Sequence, residues 1–305
     1  MKKEFEELYS EVYDECINEL KEVRSKLQKF LLIYMLVVLI INILVYIVAD
    51  TKSLVTISIS LSLLVLLVLY SNGRKIYSKK YKNCIIGGLV KKYNNHLYFD
   101  SETGLAVIDY RMSNFDNTFK EYYSEDRIHG KLENGTTVQL SEIATYDVRH
   151  YVDANGENKT EKTETFRGLY GVVKLEKNPL VTATIRGDNI TKKYSKKRVE
   201  IDSSEFEKYY DCITDDKVRT MQIFTSDLIE KYIDIMNINK YLFEVKIEND
   251  MLYFRYKCGD VFEAPTFGMG LNKEFVRKYY KLIYYPLEVI EKTVENIYNL
   301  VDSEN

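Results

Sequence analysis

The chain has 305 residues, a formal net charge of −3, 13% aromatic residues, 27 tyrosines, 3 prolines and no tryptophan. Near-neutral charge excludes the large single-sign field expected of a protein organised around nucleic acid. If about 70 residues serve a membrane region, some 230 remain, enough for one or two domains with a real core.

Residues 4–29 read as an amphipathic helix. Phe5, Leu8, Val12, Cys16, Leu20, Val23, Leu27 and Phe30 recur at three- and four-residue steps. Its acidic residues (Glu4, Glu6, Glu7, Glu11, Asp14, Glu15, Glu19) come first and its basic ones last. That order suits the helix macrodipole and brings positive charge toward anionic headgroups.

Phe30–Val48 and Leu54–Tyr70 are uncharged runs of 19 and 17 residues. The first is about 28 Å long as a helix, close to the hydrocarbon thickness of a bilayer. The five-residue link 49–53 forces antiparallel neighbours, so the pair reads as a transmembrane hairpin. A cleaved signal peptide does not fit: the first run is too long, follows a charged stretch and precedes a second span. Asn42 is the one strongly polar residue of the first span, and Ser58 and Ser62 share a face of the second. These three are the expected packing residues, within the hairpin or against a second copy. Lys21, Arg24, Lys26 and Lys29 precede the spans, and Arg74, Lys75, Lys79, Lys80 and Lys82 follow them. The positive-inside rule then predicts a two-span cell-membrane protein with both termini in the cytoplasm.

A second apolar stripe (Ile76, Tyr77, Tyr81, Cys84, Ile85, Leu89, Tyr93) continues the hairpin as residues 71–95, a juxtamembrane helix with a kink expected near Gly87-Gly88. The four cysteines are far apart in sequence with no C-x-x-C, and are expected to be reduced thiols.

From residue 96 short β-rich runs alternate with turn signals. Asn134-Gly135, Asp153–Gly156 and Asn249-Asp250 mark hairpins between predicted strands 127–132, 136–140, 144–151, 163–175, 243–247 and 252–256. Further strands are expected at 181–186, 198–201 and 219–224, and helices at 203–210, 226–236 and 272–301. Adjacent hairpins imply an α+β fold with a mainly antiparallel sheet and a long C-terminal helix. The predicted division is an amphipathic helix at 1–29, a hairpin at 30–70, a juxtamembrane helix at 71–95 and a cytoplasmic domain at 96–305.

Several segments bear a family likeness. They are Tyr123-Ser124-Glu125-Asp126-Arg127-Ile128-His129-Gly130, Leu140-Ser141-Glu142-Ile143, Phe166-Arg167-Gly168-Leu169-Tyr170, Val199-Glu200-Ile201 before Glu205-Phe206-Glu207, and Asp215-Asp216 before a helix. With the two-span anchor, the chain resembles the bacterial membrane proteins carrying domain of unknown function 3137. It departs from them at Gly87-Gly88, where a proline-containing helix is expected. The resemblance implies no activity, cofactor or catalytic residue to carry over.

The residues themselves agree with that silence. His96, His129 and His150 lie in separate segments without metal-ligand spacing, and no cofactor is expected. Gly268-Met269-Gly270 is a bare G-x-G before a helix, read as a turn with Asn272 as cap. Glu125-Asp126 and Asp215-Asp216 read as turn and cap residues. Gly168 within a strand predicts a bulge or a close backbone approach, and Arg167 a carboxylate partner. Lys192, Lys193, Lys196, Lys197 and Arg198 form a basic run expected either as a solvated tip or as a contact to an anionic membrane surface. The expected function is a membrane-anchored binding or scaffolding module contacting a protein partner or the inner membrane surface. An enzyme acting at the inner leaflet and an accessory subunit of a transport assembly are the alternatives. The expected partners are the lipid bilayer, a protein and, for the Ser58/Ser62 face, a second copy of the chain.

Overall fold

The computed structural model describes residues 4–48, 52–115, 118–187, 197–265 and 272–304. Contacts divide the chain into two units, Lys3–Gly88 with Glu263–Val276, and Leu89–Phe262 with Arg277–Asn305.

The first unit is built on α1 (Phe5–Val48), α2 (Lys52–Tyr81) and a π-helical turn at Lys82–Ile86. α1 and α2 are long and apolar enough to cross a membrane, and no residue of their most apolar windows is buried. They are antiparallel neighbours in a fixed register: Cys16 meets Cys84, Glu19 meets Lys80, Tyr34 meets Ser62, and Asn42 meets Ser58. Asn42 is satisfied within the pair. Its Nδ2 donates to the Val38 carbonyl at 2.9 Å and to Ser62 Oγ at 3.2 Å, and its Oδ1 accepts from Ser58 Oγ at 2.8 Å. In a hydrocarbon surrounding an unsatisfied amide costs several kcal/mol, so these bonds give the two helices one favoured rotation.

Two expectations change here. Cys16 and Cys84 are not separate thiols but a disulfide, with Cα atoms 5.8 Å apart. Antiparallel packing brings together residues that sequence distance holds 68 positions apart. The helical distortion also falls one turn earlier than Gly87-Gly88. The π-turn carries it, and Gly87 itself stays helical at φ −59°. Gly88 serves a different purpose: a Cβ there would lie 3.1 Å from Val12 Cγ1, so glycine permits the close approach of the helices one turn from the disulfide.

The second unit is an α+β domain. Among the described residues nine strands form one sheet in the order β1-β2-β3-β4-β9-β8-β5-β7-β6, with every pairing antiparallel. They are β1 (Leu97–Asp100), β2 (Glu121–Lys131), β3 (Thr137–Val152), β4 (Asn158–Lys174), β5 (Ala183–Gly187), β6 (Arg198–Val199), β7 (Tyr210–Thr214), β8 (Phe243–Glu248) and β9 (Met251–Tyr256). The helices are α3 (Gly87–Tyr93), α4 (Val107–Ser113), α5 (Ser204–Glu207), α6 (Lys217–Ile223), α7 (Ser226–Asn239) and α8 (Lys273–Ser303). α3 and α8 each begin in the first unit.

Each face of the sheet buries its own apolar set. β8 alternates Phe243, Val245 and Ile247 inward, the period-2 pattern of a half-buried strand. On that face Tyr232 of α7 packs on Tyr210 and Phe243, each with ring centroids 5.8 Å away, and Phe206 stacks on Tyr210 at 4.9 Å. On the opposite face α4 lowers Tyr110 onto Tyr170 at 4.8 Å, in a cluster with Leu105, Ile143, Phe166, Val172 and Tyr253. Much of the tyrosine excess is therefore core. The predicted hairpins at Asn134-Gly135, Asp153–Gly156 and Asn249-Asp250 are all present.

Local propensity misled at two places. Residues 219–224 read as a strand from their β-favouring composition, but lie mostly in α6. The Asp216 side chain accepts the Arg219 N–H at 3.1 Å and starts a helix there. Residues 203–210 hold only the short α5, after which the chain turns at once into β7. β1 and α4 have no counterpart among the expected elements; each is too short for periodicity to show.

Candidate binding site

A cleft of about 390 Å³ opens over β2, β3 and β4 at the place where their ladder is irregular. The β2–β3 register slips between Glu125 and Ile128, where Asp126 takes a left-handed φ of 57°. The β3–β4 register slips at Thr145/Tyr146, leaving Thr165 as the extra residue. Bulges bend strands and re-aim side chains. Here both turn polar groups into one space: Tyr123, Glu125, Glu142, Tyr146, Lys162, Arg167 and Asp260 line it.

Arg167 is the hub. Its Nε donates to Glu164 Oε2 at 2.6 Å, and its two terminal nitrogens donate to Asp260 Oδ1 and to the Tyr146 hydroxyl. Hydrogen bonding to Glu164 and then to Asp260 raises its pKa further above the usual guanidinium range, so the charge is permanent. Asp260 arrives on the loop that follows β9. That loop is held by Glu142, whose Oε2 accepts the N–H groups of Val261 at 3.1 Å and Phe262 at 3.2 Å. Gly168, at φ 155°, admits the same loop: a Cβ would sit 2.1 Å from the Tyr256 carbonyl oxygen. The close approach expected from Gly168 and the carboxylate partner expected for Arg167 are thus two ends of one arrangement.

The other wall is aromatic. Lys162 Nζ lies 4.0 Å from the centre of the Tyr146 ring and 5.0 Å from that of Tyr123, and it pairs with Glu121. The Lys162 hydrogen bond holds the Glu121 carboxyl below its ordinary pKa. Tyrosine faces, fixed carboxylates and two cations side by side suit a ligand carrying both polarity and flat apolar surface, the chemistry of a peptide segment. Among the described residues, no three His, Cys, Asp or Glu side chains are grouped to hold a metal ion.

The residues singled out beforehand divide. Asn42, Ser58 and Ser62 meet in the hairpin. Lys192, Lys193 and Lys196 lie outside the described residues, as do Gly268-Met269-Gly270. The Lys197 carbonyl accepts from Thr214 N–H. Arg198 is not presented to a surface: its guanidinium binds Asp211 at 2.7 Å and Glu207 inside the domain. Asp216 caps α6, and Asp215 accepts the Thr182 N–H at 2.9 Å. Tyr146, Lys162 and Asp260 went unnoticed in the sequence. No local signal marks them, because strand pairing brings Tyr146 to Arg167 from 21 residues away and one loop brings Asp260 from 93.

Cys212 and Cys258 are both buried, so resistance to impermeant thiol reagents there would report burial rather than orientation. Burial pushes each thiol up to about 12. A thiol whose folded pKa is raised adds stability that is complete below its unfolded value, near 9, and is lost as pH climbs through the folded one. The full chain in detergent should therefore resist iodoacetamide at pH 8 at both positions and lose stability as pH rises from about 9 toward 12. A Cys212→Ala/Cys258→Ala variant should lose that part of the slope. Rapid native alkylation at pH 8 would contradict it.

No curated protein and no solved structure matches the chain. Residues 164–293, from within β4 to the middle of α8 and including Arg167, Gly168 and Asp260, match the family model described as Protein of unknown function (DUF3137). Residues 164–293 are thus similar to the DUF3137 family, in a chain that also has two helices long and apolar enough to cross a membrane.

Proposed function

We propose that this chain is a membrane-anchored binding module whose cleft takes a peptide segment of a protein partner at the cytoplasmic face. The cleft carries the reading. Two bulges, a three-partner arginine and a lysine held between two tyrosine rings make a shaped polar-aromatic surface. The exposed apolar windows of α1 and α2 support the anchor, and the basic flanks of both helices support a cytoplasmic setting for everything outside the short link.

Two experiments test this. A cysteine placed at Thr51, in a Cys16→Ser/Cys84→Ser background, should react with an impermeant maleimide in intact cells, and one at Glu304 only after permeabilisation. The reverse pattern defeats the orientation. A photoreactive residue at Tyr123 or Tyr146 should give a discrete protein adduct in cells, and one at exposed Val218 on α6 should not. Equal adducts at all three positions, or none, defeat the cleft as the binding surface.

A further inference from the structure

The disulfide between Cys16 and Cys84 closes a ring of chain that contains both apolar helices. Its position relative to the charges is informative. Lys21, Arg24, Lys26 and Lys29 lie between Cys16 and the first apolar run, and Arg74, Lys75, Lys79, Lys80 and Lys82 lie between the second run and Cys84. Both sulfurs are therefore on the basic-flank side of the hairpin, the side that the positive-inside rule assigns to a reducing compartment. A disulfide in that setting is seldom a permanent fixture; it is characteristic of redox sensing.

We propose that Cys16 and Cys84 form a reversible dithiol–disulfide site, oxidised and reduced by exchange with a low-molecular-weight thiol–disulfide couple of the glutathione type. The proposal rests on the cytoplasmic orientation given above. The geometry supplies the two things exchange needs, proximity and access. Antiparallel packing holds the Cα atoms 5.8 Å apart, within the range a disulfide spans without backbone movement. Gly88 lets Val12 approach closely one turn away. Cys16 is buried at 2% exposure, whereas Cys84 is only half-buried, in the π-helical turn. π-Bulges are a recurrent local device at functional positions.

Reduction accordingly starts at Cys84. A glutathione thiolate attacks Cys84 Sγ, the protein S–S bond breaks, and Cys16 leaves as a thiolate and takes a proton. A second glutathione thiolate attacks the glutathione sulfur of the mixed disulfide, releasing Cys84 thiolate and glutathione disulfide. Two electrons reach the protein, two glutathiones are oxidised, and the reverse sequence re-forms the bond. Cys212 and Cys258 are buried in the sheet domain and serve as internal controls. With the bond open, a 42%- and 47%-exposed Lys80–Glu19 ion pair remains at this level of the hairpin, and such exposed pairs hold helices weakly.

The test uses the full chain in native membranes, equilibrated with defined glutathione and glutathione disulfide, quenched with acid and counted by differential alkylation. The Cys16/Cys84 dithiol-to-disulfide ratio should follow [GSH]²/[GSSG] in proportion, a tenfold change in one giving about a tenfold change in the other. Cys212 and Cys258 should remain thiols throughout. Cys16→Ser should leave Cys84 able to form only a mixed disulfide with glutathione. In intact cells the pair should be mainly dithiol and should oxidise on a pulse of diamide. A pair that stays oxidised in all buffers, or never oxidises, overturns the proposal. The Thr51 labelling experiment separates the causes. If Thr51→Cys labels from outside and the pair still does not exchange, the redox site fails while the orientation stands. If Thr51→Cys is protected and the pair is permanently oxidised in cells, the orientation has failed and the bond is a structural one in an oxidising compartment.

Discussion

Replacing Gly168 by valine is expected to destabilise the sheet domain by about 3 kcal/mol or more, and to lower its unfolding temperature by about 6–12 °C. Two independent costs combine at this position. The backbone sits at φ 155°, a region that L side chains rarely adopt and β-branched ones least of all. The new Cβ would also meet backbone rather than a flexible side chain: the Tyr256 carbonyl oxygen at 2.1 Å, Cys258 N at 2.8 Å and Lys257 Cα at 3.1 Å. Neither β4 nor the chain leaving β9 can give way without losing ladder bonds, since Leu169 pairs with Tyr256 right beside the contact. The damage should spread to the cleft, because the displaced loop carries Asp260 to Arg167. Urea unfolding of the full chain in detergent measures the loss. Hydrogen exchange at Val261 and Phe262, whose N–H groups rest on Glu142, should speed up in the same variant. A Gly168→Val protein of unchanged stability would mean that the loop has a second, equally good path.

How much of this was legible in the sequence depends on the range of the interaction. The two spans were plain because a run such as Phe30–Val48 announces itself without reference to any other residue. The hairpin turns were plain for the same reason: Asn249 at φ 56° and Gly135 at φ 85° are left-handed positions, and asparagine and glycine are the residues that tolerate them. The N-cap at Asp216 was within reach, since Asp215-Asp216 was already read as preceding a helix, yet the β-favouring residues 219–224 outweighed it. The cleft was beyond reach as an assembly. Gly168 and Arg167 stood out by type, but what they meet, Tyr256 and Asp260, depends on β9 pairing with β4 across some 85 residues. The Cys16–Cys84 bond was hidden by the same fact on the helical side. Once the link 49–53 is read as a tight turn between antiparallel helices, positions equidistant from it must face each other, and these two cysteines are nearly equidistant.

Arg198 gives the second large effect, and it turns on which partner is left behind. Asp211 is fully buried, and Arg198 Nε lies 2.7 Å from its Oδ1. The guanidinium also holds Glu207, whose other carboxylate oxygen accepts the Ile201 N–H at 2.8 Å. One arginine therefore fastens the edge strand β6 and its continuation to β7 and α5. Arg198→Ala takes the guanidinium away from a buried carboxylate and from Glu207, and should cost about 3–5 kcal/mol. Arg198→Lys keeps the charge but cannot bind two carboxylates through a planar fork, so it should recover only part of that loss. Arg198→Met with Asp211→Leu removes both charges at similar volume. It should be much closer to the parent than Arg198→Ala, because replacing a buried pair outright does not leave one of its charges behind in the core. Urea unfolding of the four proteins in detergent gives the order directly. Parent and double variant close together, lysine between, alanine lowest, marks Arg198 as an internal strut. If instead alanine were neutral for stability but reduced binding to anionic vesicles, the basic run would have to be read as a membrane contact and Arg198 as part of it.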